Sequence, residues 1–164
     1  MKFSTSGELG SNLVELFKPP IVAEFKFRKE ANLRKIPASL HEFRIAAEKN
    51  TFWALRDSRG VILHPDYQGE LWFERQSGTL LRLELRPVRL PDNFRFAGAE
   101  ITIDYSEVPI ADAGVFLLPS ASEATACIRN PGSASLICTK NVLVFHDCRK
   151  FAAKTRVITD NPHP

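Results

Sequence analysis

The chain has 164 residues, 44% of them hydrophobic and 25% charged, with a formal net charge of +3. These figures fit one globular domain over residues 1–164, with residues 1–5 and 159–164 as frayed ends, and with enough chain to bury a core. They exclude two classes: charges of both signs alternate instead of forming the basic stripe of a nucleic-acid binder, and no apolar run approaches the ~20 residues of a membrane-spanning helix.

The richest basic stretch, Lys26 to Lys35, is broken by Glu30 and by apolar residues, and reads as a solvated face. The first residues, Met1 to Glu8, carry no apolar segment of the kind that marks a signal peptide. Twelve Phe stand against two Tyr, so the aromatics serve packing more than polar contact.

In chain order, Leu9, Leu13, Leu16 and Phe17 recur at helical spacing behind Ser6, a suitable N-cap, and Pro19-Pro20 stops the run; a helix over residues 6–17 is expected. Residues 21–28 alternate, with Ala23, Phe25 and Phe27 opposite Val22, Glu24, Lys26 and Arg28, and predict a strand. Residues 30–39 are polar and contain Pro37, which points to a loop or edge segment. Short strands are expected around Leu40 to Ile45, 51–56 and 61–64, the last two joined at Asp57-Ser58-Arg59-Gly60.

The clearest signal runs from Tyr67 to Leu85. Two strands flank Gln76-Ser77-Gly78, and Leu81, Leu83 and Leu85 alternate with Arg82, Glu84 and Arg86, one face dry and one wet. Residues 94–108 carry Ile101, Ile103 and Tyr105 against Thr102, Asp104 and Ser106. A turn at 111–114 leads to a short strand at Val115 to Leu118, a further one after Pro119 at 122–129, and a long apolar strand at 136–146 that reads as buried on both faces. Residues 148–158 are a last strand candidate. The fold expected is mainly β (α+β): a single curved antiparallel sheet or half-barrel of roughly eight to ten strands with an N-terminal helix.

Chemistry-bearing motifs are few. No phosphate loop, His-Glu-x-x-His or Gly-x-Ser-x-Gly occurs. Cys127 and Cys138 flank the turn signal Asn130-Pro131-Gly132-Ser133, which would set them across from each other on neighbouring strands; a disulfide in an oxidising compartment stands beside the alternative that all three cysteines are small core residues. His146 and Cys148 would share a strand face, and with Cys138 make a weak metal set or a Cys/His hydrolase pair. No metal or cofactor is expected. Glu70, Glu84 and Asp104 can be posed as acid–base carboxylates, but a wet sheet face produces the same pattern.

The segment Gly69 to Leu85 resembles the Gly-Glu-(Leu/Ile)-Trp-Phe … Thr-Gly … Leu-Arg-Leu hairpin of uncharacterised, mostly secreted proteins of acidobacteria. Ala99 to Val108, Phe116 to Pro119 and Asn141 to Phe145 followed by Cys148 to Phe151 fit the same order, so that the match covers roughly residues 10–152. The chain departs from that family at Glu74-Arg75, where Asp-Pro is usual, and in lacking a leader. The hairpin is also similar, at the level of fold, to the half-barrel of periplasmic lipoprotein carriers and sigma-factor regulators, which shelters an acyl chain. The resemblance implies a periplasmic or secreted location and no catalytic residue, and the lack of a visible signal peptide keeps a cytoplasmic location as the alternative.

Taken with the spread of aromatics, this suggests a non-enzymatic cell-envelope binding domain for an apolar, lipid-like ligand or an envelope protein segment. The concave face would be lined by Phe25, Phe27, Trp53, Trp72, Leu83, Ile103 and Tyr105. The alternative from a different class is a protein-interaction domain pairing through a sheet edge near Val115 to Leu118, and a third reading is the His146/Cys148 hydrolase.

Overall fold

The computed structural model describes residues 16–17, 23–50, 53–111, 113–130, 132–133 and 135–148. Nine strands follow one another: β1 (Glu24–Leu33), β2 (Ile36–Ile45), β3 (Leu55–Arg56), β4 (Ile62–Leu63), β5 (Tyr67–Glu74), β6 (Leu80–Pro87), β7 (Phe96–Ile110), β8 (Gly114–Arg129) and β9 (Leu136–Val144). Seven of them form one open antiparallel sheet in the order β1-β2-β5-β6-β7-β8-β9, and β3 and β4 form a separate ribbon. The mainly β architecture is therefore as the sequence predicts, with seven main strands in place of eight to ten. No α-helix stands among the described elements; of the helix expected over residues 6–17, all but Leu16 and Phe17 lie outside the described residues.

Register explains why the sheet has one dry face. Cross-strand partners share a face, and the pairing aligns His41, Leu71, Leu83, Ile103 and Ser122 in one rung and Phe43, Gly69, Leu85, Ile101 and Ala124 in the next. Leu71, Leu83 and Ile103 are almost wholly buried and join Leu16, Phe43, Ile45, Trp53, Tyr67, Leu80, Leu85 and Tyr105 in the main core. The other face carries the rungs Leu40–Trp72–Arg82–Asp104–Ala121 and Glu42–Glu70–Glu84–Thr102–Glu123. A second core of Leu90, Phe94, Phe96, Ala126 and Ile128 is backed by Leu55 and Leu63 of the ribbon.

The 46–66 connection is tied down by polar groups at both ends. The buried Asn50 donates through Nδ2 to the carbonyls of Trp53 (2.7 Å) and Pro65 (3.0 Å) and accepts from the Trp53 N–H (2.9 Å). This places the Trp53 ring 5.4 Å from Tyr67, edge-on, and 6.4 Å from Phe43. Asp66 accepts from Arg44 (2.9 Å) and from the Ala47 N–H (2.8 Å).

Three local expectations are refined or corrected. Of the loop or edge segment expected over residues 30–39, the edge is what forms: residues 30–33 end the outer strand β1, which pairs with β2 through Leu33↔Ile36, and the turn residues Arg34 (φ 48°) and Lys35 (φ 72°) take positive φ without glycine. Pro37 is tolerated because it lies at the end of the β2–β5 ladder, just past the Ala38↔Glu74 pair, where its carbonyl still accepts from the Arg75 N–H (3.0 Å) and its missing N–H is the terminal donor only. Pro119 does not split a strand either; it sits in β8 at a bulge, where Asp104 pairs with Ala121 and Tyr105 with Pro119, and the Ser120 hydroxyl donates to the Asp104 carbonyl (3.2 Å). Finally, the 136–146 segment is not a doubly buried strand. It is β9, the edge of the sheet, and every residue of it except Asn141 is exposed.

Gly69 faces Phe43 across the β2–β5 pair, and the ring lies over the space a side chain would fill: a Cβ there would stand 2.5 Å from Phe43 Cζ and press on the Glu84 carbonyl. Gly98 has nothing within 4 Å of the same point. Gly69→Ala is expected to destabilise by about 1–3 kcal/mol through overpacking. Gly98→Ala should be neutral or slightly stabilising, because it lowers the entropy of the unfolded chain. Urea midpoints of the two variants check the contrast.

Candidate binding surface

Of the seven residues expected to line one concavity, six lie on or against the dry face and Trp72 lies on the other. Trp53, Leu83, Ile103 and Tyr105 are buried in the main core and touch neighbours on all sides. Trp72 belongs to the opposite face, in the rung with Leu40 and Arg82; its indole N–H is buried without a hydrogen-bond partner among the described residues. Phe25 and Phe27 remain, and they are 45% and 54% exposed.

These two begin an aromatic shelf at the β1 edge of the core face. Phe25 is stacked on Phe17 (centroids 5.3 Å) and tilts towards Phe43 (6.2 Å). Phe27 meets His41 edge-on (5.5 Å), and His41 meets Phe73 in the same way (5.5 Å). The rows follow from register: Phe25 pairs with Phe43, Phe27 with His41, and His41 with Leu71, one step from Phe73. Such ring pairs contribute about 0.5–1.5 kcal/mol each beyond area burial, so the shelf is a preorganised surface. Alternation alone exposed Phe25 and Phe27 to sequence reading. His41 and Phe73 stayed hidden because their place beside Phe27 depends on pairing between distant strands.

The wet face is a grid of charges. Asp104 accepts from Arg82 through Nε (2.8 Å) and Nη2 (3.2 Å) and from Arg34 Nη2 (2.8 Å). Arg34 lies in the β1–β2 turn, and Asp104 on β7 lies three strands beyond β2, roughly 14 Å along a flat sheet. The hairpin tip therefore bends over the wet face, and Ala38 and Leu40 are buried on that side.

Next to this, a cavity of about 260 Å³ is lined by Arg28, Glu42, Gln68, Glu70, Glu84, Arg86 and Glu100, together with Phe43, Gly69 and Leu85. Arg28 pairs with Glu42 (2.5 Å), and that hydrogen bond lowers the Glu42 pKa. Glu70 and Glu84 face each other directly, while Asp104 is one rung away and engaged by arginines. The three carboxylates posed from sequence as an acid–base set are thus a pair and a separate ion-pair centre.

The remaining chemistry-bearing residues are dispersed. Cys127 and Cys138 are directly opposed on β8 and β9 and disulfide-bonded (S–S 2.03 Å, Cα–Cα 4.0 Å). The ladder bonds Phe145 N–H to the Ser120 carbonyl and Asn130 N–H to the Ser135 carbonyl turn the odd residues of β9 towards β8. Cys138 therefore occupies a non-hydrogen-bonded site, where facing Cα atoms come closest. His146 and Cys148 lie past the end of β9, with Asp147 between them at φ 53°, so they do not share a strand face. Among the described residues, no three His, Cys, Asp or Glu side chains group as a metal site, and no helix is long and apolar enough to cross a membrane. No family model, curated protein or solved structure matches the chain.

Burial, and then the charge of Glu70, raise the pKa of Glu84 above the ordinary value, although Arg82 pulls it down. The folded chain holds that proton more tightly than the unfolded one, so ionising Glu84 opposes folding. The penalty is absent below the unfolded value of about 4.3, grows as the pH rises through the raised folded value, and is complete above it. Glu84→Gln is expected to be more stable than the parent at neutral pH and equally stable below the ordinary carboxylate value. Thermal unfolding across this range measures the difference.

Proposed function

We propose that the chain is a non-enzymatic binding domain of the cell envelope or secreted space. On this reading its contact surface is the aromatic shelf of Phe17, Phe25, Phe27, His41 and Phe73, and the occupant is an extended protein segment. The observation that carries the reading is the pair of half-exposed phenyl rings, Phe25 and Phe27, fixed on an outer strand. A segment added beside β1 would gain main-chain hydrogen bonds and lay alternate apolar side chains on these rings. Lys26, Arg28 and Lys29 on the same strand favour acidic residues at the intervening positions. The Cys127–Cys138 bond supports an oxidising compartment, as does the resemblance of Gly69 to Leu85 to secreted acidobacterial proteins.

A lipid-like ligand is the weaker occupant. The large side chains of the central strands fill the core, and the described cavity is lined mostly by charged groups.

Selection of displayed random peptides on the immobilised domain tests the proposal. The expected winners alternate apolar with acidic residues, and Phe25→Ser with Phe27→Ser reduces their binding about tenfold or more, the loss of 1.4 kcal/mol or above. Failure to enrich any sequence, together with an acyl lipid retained in native mass spectra, would transfer the site to the lipid reading.

A further inference from the structure

We propose that a second copy of this chain pairs with the β9 edge in antiparallel fashion, joining two seven-stranded sheets about a two-fold axis at Lys140. This surface lies at the opposite edge from the aromatic shelf and is independent of what the shelf binds.

Three observations carry it. The first is exposure: Leu136, Val142 and Val144 are 54%, 57% and 58% exposed, with Ile137 and Leu143 beside them. Such a row on an outer strand is a surface for strand addition. The second is direction. The odd residues of β9 turn their main chain to β8, so the N–H and C=O groups of Leu136, Cys138, Lys140, Val142 and Val144 point outward. Two such edges can exchange about ten hydrogen bonds.

The third is the pattern itself, Leu-Ile-Cys-Thr-Lys-Asn-Val-Leu-Val, which reads the same in chemical class from either end. An isologous contact requires this self-complementarity. About an axis at Lys140, Leu136 faces Val144 of the second copy, Ile137 faces Leu143, Cys138 faces Val142, and Thr139 faces Asn141. A slip of one step sets Lys140 against Val142 or Cys138, so the register is defined.

Lys140 does not bar a like copy. On an open edge a lysine opposes strand addition, but here its ammonium is 2.7 Å from Glu123 on β8. Two copies set the two lysines side by side at the axis with a glutamate on the outer side of each, a neutral group of four in which each ammonium already has its carboxylate. The Cys127–Cys138 bond holds β9 to β8, so the edge is presented as a fixed template.

Sedimentation equilibrium of the full-length, oxidised chain tests the proposal. A monomer–dimer equilibrium is expected. Lys140→Glu, which gathers four carboxylates at the axis, should weaken it at least about tenfold, and Glu123→Lys combined with Lys140→Glu should restore it to within about threefold. In a Cys148→Ser background, Lys140→Cys is expected to form an interchain disulfide under mild oxidation, since the facing Cα atoms of a hydrogen-bonded pair stand about 5.5 Å apart. Circular dichroism confirms that these surface variants fold. A strictly monomeric chain would overturn the proposal. So would a dimer indifferent to Lys140→Glu, or a polymer growing with concentration, which signals head-to-tail joining of β1 to β9. Phe25→Ser and Phe27→Ser should leave the dimer unchanged, which separates this test from that of the shelf.

Discussion

The structure depends on one constraint: five neighbouring strands keep the same parity. From β2 through β5, β6 and β7 to β8, the side chains of one rung all point to the dry face, so that His41, Leu71, Leu83, Ile103 and Ser122 stand in line. A slip of one residue between any two of these strands would send a row of leucine and isoleucine into water and bury arginine and glutamate in its place. Each fully buried side chain in the row is worth about 1.5–3 kcal/mol, and the row is shared, so the strands specify one another's register. Where the count would drift, the sheet absorbs it in bulges, at Trp72/Phe73 and at Asp104/Tyr105, outside the central rungs.

The wet face is organised about Asp104. Its two oxygens collect Arg82 from the adjacent strand and Arg34 from a turn that comes from the far side of the sheet. This contact is the longest-range polar link among those described, spanning 70 residues of sequence. It holds the β1–β2 tip over Trp72 while leaving the outer part of β1, with Phe25 and Phe27, open on the other face. The same hairpin thus closes one surface and offers another.

Much of the architecture was legible in the sequence because alternation is a local signal. Residues 21–28, 80–86 and 101–105 announce their strands and their dry faces without reference to anything else, and the Gly78 turn is written in its residue type. The errors fall where the deciding fact is not local. Arg34 and Lys35 turn a hairpin with no glycine or asparagine, so the turn within residues 30–39 went unseen and the stretch read as a loop or an edge segment. Pro119 breaks a strand pattern unless a bulge receives it. The apolar run Leu136 to Val144 signals burial by composition, yet burial needs a neighbour on each side, and among the described strands β9 has one.

The candidate surface was less legible for the same reason. The count of aromatic residues was plain, but whether a ring fills the core or lies on it follows from where its strand falls in the sheet. Leu83, Ile103 and Tyr105 sit on central strands and Trp53 on the connection packed against them, whereas Phe25 and Phe27 sit on an outer strand.

The position of the disulfide gives β9 a mechanical polarity. Cys138 is near the start of the strand, so the Leu136 end is riveted covalently and the Val144 end is held to β8 by main-chain hydrogen bonds. Tension applied to the chain beyond Cys148 loads those bonds one at a time, in the manner of a zip. The peeling stops at the rivet, having freed Thr139 to Val144 and no more. A reduced chain has no such stop, and the same pull would continue through the whole of β9 to the β8–β9 turn.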